Sequence, residues 1–583
     1  MKTPRLHLVV CAACIAAALP APVLFASDTI LIHGHIYTEN PKAPWAEAIA
    51  ITGGRIEAIG TDAEISPHKR GKTKVIDLQG HTVIPGIIDI HEHVLYGGMA
   101  LHGFNLSTPE FNIGPADEDA FVDTIKVYAA SHPNDKVLFG RSGFPTTPTS
   151  AAKLELLDRA VSDRPLVIHA TSEHALWVNT KALALAGITD KPVSDPRLEK
   201  FIVRDSRGHP TGVFRESSMQ LINNALPPMP LEQRMALLRE AEHFLNTFGI
   251  TSVVEVTGDL PELEALGALR DRGELTVRTK TAFGKVGVNH HLNPQLLADL
   301  DKARKMYHDD WVSANLVKFF SDGVGNPPPM FYDPAEYKKL IIELDKRGYQ
   351  IVTHAIGAGA VHMVLDSYEE LVKTNGPRDR RLRMEHLFNI QPEDIPQFAK
   401  LSTIVGMQPA FCCGGFSGNS SNQFGSIEKS GGMLSFSSDW PCSFPPDPYA
   451  GIQQAVMREV RRPVTMHGPT LGTPEFNAPE ERISVEQALT AYTKTGAYAS
   501  FAENQTGTLE VGKLADLAEL SQDIFSVAHD KIGQTHVVMT MVGGKVVFAR
   551  NRYEATSKQG ALIVDLSGTG QAGVAESFSP PAK

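Results

Sequence analysis

The sequence predicts an α/β protein: a parallel sheet covered by helices and carrying a long insertion, with a smaller β domain assembled from the two chain ends. Three observations predict it. Apolar β-type runs alternate with helical patterns through the middle of the chain, short β segments around Gly-Gly pairs occur near both ends, and polar residues fall at the ends of the central runs.

The chain has 583 residues, 42% hydrophobic and 21% charged, enough for a substantial core. A formal net charge of −11 without long like-charged blocks argues against nucleic acid or an anionic membrane surface as partner. At the start, Lys2 and Arg5 precede an apolar run from Leu8 to Leu19, then Pro20, Pro22, Ala26 and Ser27. That layout is expected of a secretory leader over 1–26, cleaved after Ala26, although Leu24 is larger than the cleavage pattern prefers. The run is too short to span a bilayer, so the expectation is an exported protein, periplasmic or secreted, free of the membrane after cleavage. Cys412, Cys413 and Cys442 then remain, either as one disulfide from Cys442 to one of the other two, or as three free thiols.

The first β part spans 27–82 and includes Ala48 to Ile51 and Ile56 to Ile59 around Gly53-Gly54, a hairpin signal. A matching pattern, Val537 to Val542 and Val546 to Phe548 around Gly543-Gly544, places the second part over 505–566. The tail 567–583 is rich in Gly, Ser, Ala and Pro and is expected to be disordered. Between them, over 83–504, ten runs read as strands: Val83 to Ile90, Lys136 to Phe139, Leu166 to His169, Thr251 to Val256, Thr276 to Ala282, Leu316 to Phe320, Ile351 to His354, Leu382 to His386, Thr403 to Met407 and Leu434 to Ser437. Helical patterns separate many of them, for example Leu231 to Phe248, Ala360 to Lys373 and Val485 to Phe501. Ten exceeds the eight of a closed barrel, so some belong to an insertion, placed at 100–245.

His91 and His93 end the first central run, Lys318 lies inside another, and His354, His386 and Asp439 end three more. Alternate residues on a strand share a face, so His91 and His93 can chelate one ion. In a parallel barrel the strand C-termini share one mouth, where imidazole and carboxylate suit zinc or a related ion. A lone strand-end His is usually an ordinary hydrogen-bonded residue. Five separate strand positions are harder to assign to chance, and a buried lysine is costly without a partner.

That ordered set resembles the amidohydrolase superfamily, and the surrounding residues look like its amidohydrolase-3, YtcJ-like branch. The matching stretches are VIPGIIDIHEH (Val83 to His93), HALWVNTKAL (His174 to Leu183), PTGVFRE (Pro210 to Glu216), KFFSDG (Lys318 to Gly323), HAIG (His354 to Gly357), Glu385-His386, Gln408-Pro409, SDWP (Ser438 to Pro441) and GTLEVGKLAD (Gly507 to Asp516). The resemblance implies a TIM (β/α)8 barrel plus a β-sandwich built from both termini. It implies two divalent metal ions, zinc expected, with His91 and His93 on one and His354 and His386 on the other. Lys318 would be carboxylated and bridge them, and Asp439 would bind the first ion and accept a proton from a bridging water. His174 and Glu216 are candidate substrate contacts, equally open to a structural role, and His169, His290 and His291 are read as structural.

The function implied is hydrolysis of a non-peptide linear C–N amide in a small molecule of the N-acyl or N-formyl amine class, by a metal-activated bridging hydroxide. A cyclic amidase or ring deaminase, and a periplasmic binding or regulatory protein, stay open as alternatives; a homodimer is one option for the assembly. Two departures matter. Ala358 and Gly359 stand where the branch usually has Asp-Arg, and Phe411 where a His is common. Both remove polar groups at strand ends, so a more apolar substrate is expected.

Overall fold

The computed structural model describes residues 27–106, 118–142, 153–284, 292–325, 327–411, 422–443, 445–458 and 478–550. Residues 1–26, where a leader is expected, the tail 567–583, Cys412, Cys413, His290 and His291 lie outside the described residues, and with them the disulfide expectation; Phe411 is described in its backbone only. Cys442 is buried.

Eight central strands form one parallel sheet whose spatial order follows the chain: β1 (Ile87–Glu92), β2 (Ile250–Gly258), β3 (Arg278–Phe283), β4 (Val312–Phe320), β5 (Gln350–Ala355), β6 (Arg383–His386), β7 (Ile404–Met407) and β8 (Met433–Phe436). The sheet curls into a nearly closed barrel. Its seam is tied at the mouth rather than along a ladder: Asp439 N–H donates to the His91 carbonyl (3.0 Å) and His93 N–H to that of Trp440 (2.9 Å).

Local chemistry starts the outer helices. Asp259, Asn293, Asp333 and Asp447 each accept a backbone N–H from the first turn of the following helix, and each of these helices has proline at one of its first two positions. One side of the sheet packs Val253, Phe283, Val317 and Phe319 against helices, while Ile88, Val254, Ala282, Leu316 and Val352 fill the barrel interior. Such packing on both faces accounts for the near-continuous apolar runs in the sequence.

Two of the ten expected central strands lie elsewhere. Leu138–Ser142 and Leu166–Ala170 belong to a separate six-stranded sheet with Phe104–Asn105, Ala175–Val178, Ile202–Arg204 and Pro210–Arg215, inserted between β1 and β2. The run Val83 to Ile90 is two strands rather than one. Thr82–Pro85 pairs antiparallel with Leu517–Leu520 from the far end of the chain, and β1 begins at Ile87. Gly86 makes the break: a Cβ there would overlap the Thr251 side chain (Cβ at 2.9 Å), and its N–H donates to Asp516 O. The expected helix Val485 to Phe501 is likewise two, Val485–Tyr492 and Lys494–Ala499, broken at Thr493 (φ −127°, ψ −84°).

Both Gly-Gly hairpins are present, at Gly53-Gly54 and Gly543-Gly544. The six-stranded terminal sheet contains strands from both ends of the chain, and it shares a core with the four-stranded N-terminal sheet through Leu31, Ile49, Ile76, Leu517, Met539 and Met541. Among the described residues no helix is long and apolar enough to cross a membrane.

The helix Val94–His102 that follows β1 sets the β8 loop in place, because Gly97 lies directly under the fully buried Trp440 ring. A Cβ at Gly97 would overlap that ring. Gly97→Ala is therefore expected to destabilise the fold by about 1–3 kcal/mol, as overpacking does. Chemical denaturation is the check, and an unchanged midpoint would contradict it.

Candidate metal centre

All six residues expected at the barrel mouth are brought together there. His91 is in β1 and His93 one residue beyond it, Lys318 is in β4, His354 in β5, and His386 is the last residue of β6. Asp439 stands three residues past β8, in a loop rather than at the strand end. His91, His93 and Asp439 are buried, each offering one ligand atom within 4.8 Å of the others. The ring centroid of His386 lies 4.7 Å from His91 and 4.4 Å from His354.

Hydrogen bonds set how these rings face. His91 Nδ1 meets Glu385 Oε2 at 2.8 Å, His93 Nδ1 meets Thr257 Oγ1 at 2.9 Å, and His386 Nδ1 meets Gln408 Oε1 at 2.8 Å. Each partner is an acceptor in context: Glu385 is a carboxylate, Thr257 spends its proton on Glu255, and the Gln408 amide nitrogen donates to Ser437. His93 Nε2 is engaged by the Asp439 carboxylate, while in His91 and His386 the proton sits on Nδ1 and Nε2 keeps a lone pair for a ligand role. This is how metal-binding imidazoles are held.

His354 supplies a separate test of fit. Its Nε2 is buried with no hydrogen-bond partner among the described residues, and the Asp322 carboxylate is 3.6 Å away. An orphan of this kind costs about 1–3 kcal/mol, which coordination would recover. Burial pulls the His91 and His354 imidazoles well below their ordinary range and His386 to about 3, so all three are neutral near pH 7, the form that can ligate a metal. For His93 burial acts downward too, but the Asp439 hydrogen bond and charge outweigh it and leave the group raised. Its Nε2 lies 3.1 Å from Asp439 Oδ1. The donor set fits divalent transition ions.

Lys318 is fully buried, its amine 3.3 Å from His91 Nε2. Burial lowers its pKa to about 8, although the Glu385 and Asp439 carboxylates act to raise it. A substantial neutral fraction at mild pH is what reaction with carbon dioxide requires.

The inserted sheet reaches the same mouth. His174 Nδ1 pairs with Glu216 Oε2 at 2.8 Å, the other oxygen of Glu216 accepts from Val324 N–H at 3.0 Å, and the His174 ring is 5.7 Å from His354. His169 pairs with Glu173 at 2.9 Å and lies 5.3 Å from the Tyr96 ring, which in turn stands 6.4 Å from His93. His386, Asp439 and Glu216 all hold positive φ (75°, 58° and 46°). Strained non-glycine backbone of this sort, about 1–3 kcal/mol each, gathers at functional sites.

Sequence reasoning missed the partners of the ligand candidates: Glu385, Thr257 and Gln408, which anchor three rings, and Asp322, whose carboxylate lies 3.6 Å from His354 Nε2. Three of them sat inside quoted stretches, beside His386, before Pro409 and in KFFSDG. Thr257 carried no signal. Asp322 accepts from the N–H groups of Ile356 and Gly357, and burial pushes its carboxyl up to about 7. Ala358 and Gly359 open the helix Ala358–Asn375, with free space where a Gly359 side chain would begin.

The amidohydrolase family (Amidohydro_3) matches residues 74–548. The chain is 26% identical to "Protein LONG AFTER FAR-RED 3" of Arabidopsis thaliana over 91% of this chain and 93% of that protein. It is 25% identical to the N-substituted formamide deformylase of Arthrobacter pascens, over 91% and 99% respectively. The putative amidohydrolase YtcJ of Bacillus subtilis is also 25% identical, over 89% and 99%. In fold it is similar to an uncharacterized metal-dependent hydrolase from Pyrococcus horikoshii, with a TM-score of 0.65 at 20% identity, covering 86% of this chain and 99% of that one. With a family match that takes in the barrel and most of the six-stranded terminal sheet, the chain belongs to the amidohydrolase family.

Proposed function

We propose that the protein is a metal-dependent hydrolase that cleaves the linear C–N amide bond of an N-acyl or N-formyl amine. The observation that carries this reading is the convergence of three outward-anchored imidazoles, the orphaned His354 Nε2, buried Lys318 and Asp439 on one mouth. In it, His91, His93 and Asp439 would hold one divalent ion, zinc expected, His354 and His386 would hold a second, and carboxylated Lys318 would serve as a ligand shared by the two. Bound there, such ions act as Lewis acids on a carbonyl oxygen and bring water's pKa toward neutrality.

The chain's own residues do the rest. Asp439 takes the proton released as water attacks and returns it to the departing nitrogen. His174, fixed by Glu216, faces the same space and contacts the substrate. Val324, Ile356, Phe388 and Cys442 form an apolar cluster at this mouth, with Phe388 6.0 Å from the His386 ring. Together with Ala358 and Gly359 it supports an apolar acyl or N-substituent. The formamide deformylase relative supports the amide class.

Elemental analysis of the purified protein is expected to find about two ions per chain, the number a dinuclear site holds. A hydrolysis screen over N-acyl and N-formyl amines of increasing chain length is expected to show kcat/KM rising with apolar length. Activity confined to small charged amides would overturn the apolar reading, and one ion with ring deamination would overturn the amidase.

A further inference from the structure

We infer that Glu385, backed by Arg383 and given room by Gly406, is the positioning residue that holds His91 for metal binding. Glu385 and Arg383 are fully buried on β6, with Arg383 Nε 2.5 Å from Glu385 Oε1. The other carboxylate oxygen reaches across the barrel to His91 Nδ1 at 2.8 Å, joining β6 to β1. Among the described residues nothing else in contact with the His91 ring fixes Nδ1: Lys318 and Asp439 both approach the Nε2 side, at 3.3 and 3.6 Å.

A buried carboxylate is expensive unless paired, and Arg383 supplies the pairing. The neighbouring strand is shaped for it. A Cβ at Gly406 in β7 would overlap the Glu385 carboxylate, with Oε1 at 2.6 Å and Cδ at 2.7 Å. β7 thus leaves room beside this side chain. Glu385 also immediately precedes His386, so one segment of β6 contributes a ligand candidate to one ion and the orienting acceptor for the other. A carboxylate behind an imidazole fixes its tautomer and raises its strength as a ligand.

The inference rests on the metal-centre reading above, and its test separates the two. Glu385→Gln keeps the shape and removes the charge; Gly406→Ala keeps every charge and displaces the carboxylate. Both are expected to weaken metal binding about 10–100-fold, measured by chelator competition, the range for orienting partners of metal ligands. Cobalt-substituted variants should also show altered visible absorption. Thermal unfolding of the metal-free proteins is the control for folding. Unchanged metal affinity in both variants, with or without a lower melting temperature, would mean that the Arg383–Glu385 pair serves only the barrel and would overturn the inference. Wild-type protein that binds no metal would instead overturn the metal centre itself.

Discussion

Replacing Lys318 is expected to remove hydrolysis almost entirely, by about a thousandfold, the several kcal/mol that a correctly held metal supplies. Lys318→Met is the informative variant, since it keeps the buried stem and deletes only the amine. The amine lies 3.3 Å from His91 Nε2, in the space where the two proposed ion sites meet. Its loss should lower metal content along with activity. Circular dichroism and the melting temperature of the metal-free variant should stay near wild type, because a buried amine is replaced by an apolar group of similar length.

The pH dependence has a definite sign. With burial holding the amine near 8, protonated lysine dominates below that value and neutral lysine above it. Metal-stripped wild type should therefore reconstitute faster as pH rises from 7 to 9 at fixed bicarbonate, and poorly in buffer freed of carbon dioxide. Full reconstitution without carbon dioxide would show that Lys318 works uncarboxylated. Full activity in Lys318→Met would remove it from the site.

The ligand candidates were readable in the sequence because each interrupts or ends an apolar strand, where the pattern itself makes a polar residue conspicuous. His91 and His354 close largely apolar runs broken only by Asp89 and Thr353, His386 closes the alternating Leu382-Arg383-Met384-Glu385, and Lys318 stands within an apolar run. Strand counting was less secure. Val83 to Ile90 is continuous in hydropathy, yet it crosses from a terminal sheet into the barrel at Gly86, and only the approach of Thr251 from another strand reveals the break. The inserted strands Leu138–Ser142 and Leu166–Ala170 are as apolar as barrel strands because they too are covered on both faces. Glu385, Thr257 and Gln408 were hidden for a different reason. Their role depends on contacts 294, 164 and 22 residues away, and no local spacing encodes a partner across a barrel. What local sequence does encode is the room for them, as at Gly406, although a glycine in a strand has many other readings.

Asp439→Asn is expected to lower kcat by about a hundred- to ten-thousandfold, the contribution of a positioned acid–base group, with KM little changed. Asparagine matches aspartate in shape but cannot accept and return a proton. The loop should survive, since it is held by backbone bonds from Asp439 N–H to the His91 carbonyl and from Cys442 N–H to the Asp439 carbonyl, which the substitution leaves alone. A role confined to ligation predicts something else: metal loss comparable to that of Lys318→Met and an activity that excess metal restores. Metal-free protein offers a readout independent of turnover. There the His93 imidazole is raised because the hydrogen bond and charge of Asp439 outweigh burial. Removing that charge leaves only the Glu255 and Glu173 carboxylates to oppose burial, so the His93 titration followed by NMR should move to lower pH in Asp439→Asn. If it stays in place, the His93–Asp439 contact at 3.1 Å does not exist in solution, and the first metal site would have to be rebuilt from other residues.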